Sequence, residues 1–115
     1  QIILPQSRLC LRRFIAKVKE LEKTRMIWAT TTPLYTPDPE KPMVQWHIRE
    51  RAEIEAYNAA ALEIVKGEGL VVNDLHDVIV RSDFTKCLTE DGCHMTELGN
   101  EVLSDAVAKA IDALI

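Results

Sequence analysis

Two short apolar runs constrain this chain more than any other feature: Met26-Ile27-Trp28-Ala29 and Leu70-Val71-Val72. Neither alternates apolar with polar residues. A strand with apolar residues in succession suits burial on both faces, as in a parallel sheet flanked by helices. Three threonines extend the first run, and Pro33 then forbids it from continuing in a ladder. Asn73 and Asp74 bound the second.

The segments around these runs carry helical periodicity. After Pro5, the residues Leu11, Phe14, Ile15, Val18 and Leu21 recur at three- and four-residue steps, which predicts an amphipathic helix over 6–23. A second helix is expected over 45–66, with Ile54, Tyr57, Ala61, Ile64 and Val65 as its buried stripe and Gly67 and Gly69 at its end. Thr96 is a good N-cap, and Glu97 suits the first turn beside the positive end of the dipole. A last helix follows, with Leu103, Val107, Ile111 and Leu114 as its buried stripe. Residues 76–94 read either as a short helix or as irregular.

The order helix, strand, loop, helix, strand, loop, helix predicts a doubly wound α/β protein with a parallel sheet. Two strands do not complete such a sheet, since sheets usually hold about four to six. Two isolated parallel strands would leave open edges. The whole chain, 1–115, is therefore expected to be the C-terminal portion of a single domain, with the N-terminal strands missing from it. Residues 33–42 hold four of the five prolines and form a long loop. That loop leaves the C-terminal edge of the first strand, where open α/β sheets bind ligands.

A net charge of -4 argues against a nucleic-acid partner. Arg8, Arg12, Arg13, Lys17, Lys19, Lys23 and Arg25 cluster, but at helical spacing they read as a solvated face. No run of about 18 apolar residues exists, so no membrane span is expected. No signal peptide is visible, but residue 1 is Gln rather than Met, as if the chain were cut from something longer. The compartment therefore stays open, with secretion or a periplasmic location compatible. Cys10, Cys87 and Cys93 show no metal-binding spacing. Six residues apart, Cys87 and Cys93 could pair if the protein is exported; the alternative is three free thiols. Neither a metal nor a cofactor is expected.

The stretch Asp91-Gly92-Cys93-His94 carries the chemistry. Histidine is the usual general base near neutral pH. A carboxylate that accepts from one ring nitrogen leaves the other free to take a proton. Asp91 and His94, joined by a glycine-containing turn, suit that arrangement. The start of the last helix opposes the charged imidazolium while the carboxylate favours it. The plainer alternative is a turn aspartate beside a hydrogen-bonded surface histidine.

"DGCHMTELGNEVLSDAVAKAI" resembles the final motif block of the SGNH hydrolases, the GDSL-type esterases and lipases. That block is Asp-x-x-His before a Thr- or Ser-capped helix, with a Gly four or five residues after the His. "MIWATTTPL" is similar to the family's fourth core strand and the loop leaving it. "YNAAALEIVKGEGLVVNDLHDVI" resembles the following helix and fifth strand. The resemblance covers nearly the whole chain, in the family's order. It implies a three-layer α/β/α flavodoxin-like fold and ester hydrolysis through a serine acyl-enzyme. His94 would then be the general base and later the acid, and Asp91 its orienting carboxylate.

The family's Gly-Asp-Ser and Gly-x-Asn-Asp blocks are absent from these residues. Asn73 and Asp74 lie in the fifth-strand position without the preceding Gly, so no oxyanion role passes to Asn73. None of Ser7, Ser82 and Ser104 stands on a strand-to-helix elbow, and no nucleophile is assigned. The chain alone is expected to be inactive. Thr31, Thr32 and Pro33 fall at the active-site edge, with Thr32 and Pro33 as candidate substrate contacts; the alternative is a strand end and its terminator. Trp46 and His47 either line the cleft or pack a helix start. Tyr57 reads as core, Asn58 as a hydrogen bond to a neighbouring loop, and His76 as a surface residue.

The substrate implied is a small-molecule or carbohydrate ester. The low aromatic content, 5%, leans away from a lipase. Two other functions fit the same sequence. One is a non-catalytic α/β module that binds a partner through its sheet edge. The other is an acyltransferase on the same fold.

Overall fold

The computed structural model describes residues 4–34, 44–89 and 92–115, without the side chains of 44–50 and of Phe84. The first helix, α1, spans Leu4–Lys19. Pro5 sits in its first turn, where a missing N–H costs nothing. The helix stops before the expected residue 23. Glu20 N–H donates to the Lys17 carbonyl at 3.2 Å and Leu21 N–H to the Val18 carbonyl at 2.9 Å. These three-residue closures tighten and end it.

Strands β1, Ile27–Ala29, and β2, Val71–Asn73, pair in parallel, with Ile27 opposite Val71, Trp28 opposite Val72 and Ala29 opposite Asn73. Between them runs α2, Val44–Gly67. Gly69, at φ 73°, turns the chain out of that helix, and Leu70 N–H returns to the Val65 carbonyl at 3.0 Å. The parallel sheet expected from the two apolar runs is present. β1 stops short of the threonines that extend its run, and β2 starts one residue after Leu70 and takes in Asn73.

Ile15 of α1 and Ile64 and Val65 of α2 are buried together, and Trp28 and Val72 pack against them from the sheet. Burial of Ile15, Ile64 and Val65 stabilises the fold by about 1.5–3 kcal/mol each relative to exposure. Asn73 follows Val72 and points to the opposite face of the strand. There its amide donates to the Ala106 carbonyl of α5, Glu97–Asp112, at 3.3 Å.

Two expected stripes are corrected. Phe14 is 58% exposed, because Leu11 and Ile15, one turn apart, are the residues that meet the core. Leu21 lies past the end of α1 and is exposed too. On α5, Val107 and Ile111 are exposed, Ile111 by 47%. The described sheet is two strands wide and covers only part of that helix's apolar face. The open segment 76–94 resolves into α3, Leu75–Arg81, α4, Phe84–Cys87, and a tight turn. The proline-rich loop expected over 33–42 lies, from residue 35 onward, outside the described residues. Among the described residues, no helix is long and apolar enough to cross a membrane.

Candidate active site

The C-terminal ends of β1 and β2 are tied together by one side-chain network. Thr30 is 4% exposed, so its hydroxyl needs partners inside the protein. It donates to Asp74 Oδ1 at 2.8 Å and accepts from the backbone N–H of His76 at 2.9 Å. The same Asp74 oxygen accepts from Asp77 N–H at 3.2 Å and caps α3. One residue on, the Asn58 side chain of α2 grips Thr31 twice. Its Oδ1 accepts from Thr31 N–H and its Nδ2 donates to the Thr31 carbonyl, both at 2.9 Å. These bonds divert the chain from the ladder, which is why β1 ends at Ala29 rather than running to Pro33.

The loop contact expected of Asn58 is thus present. Tyr57 is half-buried. Thr32 is half-buried and Pro33 buried immediately after the clasp. His76, read as a surface residue, is half-buried instead, with Nε2 shielded from solvent. The Asp74 cap starts α3 at Leu75 and so draws His76 into the first helical turn. Thr30, Glu55, Asn58, Asp74 and His76 line a pocket of about 190 Å³. Its wall therefore carries two carboxylates, at the sheet edge where this architecture binds ligands. The side chains of Trp46 and His47 lie outside the described residues.

His94 lies in the tight turn that follows α4. Residues 87–89 and 94–96 run antiparallel, bridged at Leu88 and Met95. Thr89 N–H donates to the His94 carbonyl at 2.8 Å, and Gly92 N–H donates to the Thr89 carbonyl at 2.9 Å. Gly92 has φ 72°, a left-handed conformation that glycine adopts without strain. The turn predicted around this glycine is therefore present, and it presents the His94 side chain to solvent. Asp91 lies outside the described residues.

The open end of the turn is locked to two helices. Thr96 N–H donates to the Cys87 carbonyl at 2.8 Å. The Thr96 hydroxyl reaches the Lys86 carbonyl at 2.6 Å and the Cys87 carbonyl at 3.1 Å, and it accepts from Gly99 N–H at 3.2 Å. Thr96 is the N-cap of α5, as its sequence position predicted, with Glu97 in the first turn. Gly99 is buried because the Cys87 carbonyl sits where a side chain would be: a Cβ there would lie 2.3 Å from that oxygen. At the far side of α4, the Thr85 hydroxyl donates to Asp83 and holds its carboxyl below the usual aspartate value.

None of Ser7, Ser82 and Ser104 stands on a strand-to-helix elbow in the structure. Ser7 lies within α1 and Ser104 within α5. The Ser82 hydroxyl donates to the Val78 carbonyl at 2.8 Å, at the end of α3. Cys87 is buried and Cys93 exposed, and no disulfide joins them in this structure. Among the described residues, no three His, Cys, Asp or Glu side chains gather as a metal site would require.

No family model matches this chain, and no curated protein matches it in sequence. Solved structures do match it in shape. The esterase domain of the ZfL2-1 ORF1 protein, from a zebrafish retrotransposon, is similar with a TM-score of 0.70 and 19% identity, over 94% of this chain and 60% of that one. LAE5, an alpha/beta hydrolase enzyme from the metagenome of Lake Arreo, Spain, is similar with a TM-score of 0.73 and 19% identity, over 100% of this chain and 50% of that one. The chain thus shares the mixed α/β fold of these two structures, with a small parallel sheet; the alternation of elements predicted an α/β fold of this kind. The chain spans 50% and 60% of the length of these two structures.

Proposed function

We propose that this chain is the C-terminal part of an SGNH-type serine esterase and supplies its acid-base pair. The observation that carries this reading is the locked turn that presents His94 at the head of α5, where the Asp-x-x-His block of such enzymes stands. The two-stranded parallel sheet would be the C-terminal edge of a three-layer, flavodoxin-like domain. The similarity in shape to an esterase domain and to a hydrolase supports this reading.

His94 would take the proton of a serine hydroxyl supplied from outside these 115 residues. The serine oxygen would attack the ester carbonyl and expel the alcohol, which takes its proton from His94. Water would then cleave the acyl-enzyme with His94 again as base. Asp91 would orient the imidazole and stabilise its charged form. Thr32 and Pro33 would contact substrate from the loop that leaves β1. A small-molecule or carbohydrate ester is the proposed substrate. The test is the variant His94→Ala in the longest natural form of the chain. A loss of about 10⁴- to 10⁶-fold in kcat with the fold intact supports the reading. Near-normal turnover removes His94 from the mechanism.

A further inference from the structure

We infer that Thr96 is a positioning residue for His94, an inference that rests on the reading of His94 as the base. The turn is an antiparallel pair only three residues deep, so its geometry depends on both ends. At the closed end, the Thr89 and Gly92 amide bonds fix the His94 carbonyl and the reversal of the chain. At the open end, one side chain does the joining. Thr96 Oγ1 lies within hydrogen-bond distance of two α4 carbonyls, those of Lys86 and Cys87, and accepts from the α5 amide of Gly99.

The single hydroxyl therefore joins the last turn of α4, the first turn of α5 and the strand that carries His94 two residues away. Its backbone N–H adds a third tie to the Cys87 carbonyl. An N-cap that served only its own helix would need the Gly99 bond alone. The bonds to α4 are what fix the turn relative to the rest of the domain. Without them, the imidazole keeps its chemistry but loses its fixed address. A misplacement of about 1 Å at a reacting group can cost about 100-fold in rate.

The test compares Thr96→Val and Thr96→Ser with Ile64→Val in the longest natural form of the chain, on p-nitrophenyl acetate. Ile64 lies in the core between α1 and the sheet and serves as a stability control. Thr96→Val should lower kcat by about 10- to 100-fold with KM within about twofold. Thr96→Ser keeps the hydroxyl and should restore most of kcat. Ile64→Val should lower the melting temperature while kcat stays normal. The inference is overturned if Thr96→Val melts earlier yet keeps its kcat, or if Thr96→Ser is as slow as Thr96→Val. His94→Ala, run alongside, separates the two claims: if it stays active the acid-base reading fails, and if it is dead while Thr96→Val is normal only the positioning role fails.

Discussion

Replacing Gly99 with alanine should damage the joint between α4 and α5. A Cβ on residue 99 would lie 2.3 Å from the Cys87 carbonyl oxygen, 3.1 Å from its carbon and 3.0 Å from Met95 Sδ. The methionine can swing aside, but the Cys87 carbonyl is backbone and is held by Thr96 N–H at 2.8 Å. Overpacking of this kind costs about 1–3 kcal/mol. Alanine returns up to about 1 kcal/mol through its better helix propensity. The net loss is about 1–2 kcal/mol, since backbone contact places this site at the upper end. For a domain of this size that is roughly 5–10 °C in melting temperature. Gly67→Ala is the matched comparison. Nothing lies within 4 Å of a Cβ there, at the last residue of α2, so the same propensity gain goes unopposed. Thermal and denaturant melts of the two variants beside the parent decide the matter. A Gly99→Ala protein as stable as the parent would refute the close packing of α5 on the Cys87 carbonyl.

Thr30→Val keeps the side-chain volume but removes a buried hydroxyl that serves Asp74 and the His76 amide, and it should lower stability by about 1–3 kcal/mol in a urea melt. Lys19 donates to Glu68 at 2.6 Å and so holds that carboxyl below its ordinary 4.5. The unfolded chain therefore binds a proton there before the folded one does. Stability from this pair is present above pH 4.5 and fades as pH falls through the lowered folded value. Lys19→Met should flatten that part of the acid limb in melts recorded from pH 5 to pH 3, by a small amount because the pair is solvent-exposed.

The sequence carried the architecture in its apolar runs and helical stripes. Parallel pairing followed from strands apolar on both faces, and the caps at Thr96 and Gly69 were readable from residue type. The strand lengths were not readable. They are set by Asn58 and Asp74, which capture Thr31 and Thr30 from 27 and 44 residues away. Phe14 and Ile111 misled for a related reason. Periodicity says that a helix has an apolar face, but not how much sheet is present to cover it. At the candidate site, the glycine turn before His94 was legible from spacing. The lock behind it was not, because the Lys86 and Cys87 carbonyls that receive Thr96 are backbone atoms with no signature in the sequence.

His94 is proposed to activate a serine lying outside residues 1–115. Stoichiometric labelling of the longest natural form with a fluorophosphonate, followed by peptide mapping, tests it directly. The label should fall on one serine other than Ser7, Ser82 and Ser104, and His94→Ala should abolish the labelling. A label on any of those three serines, or undiminished labelling of His94→Ala, would contradict the claim.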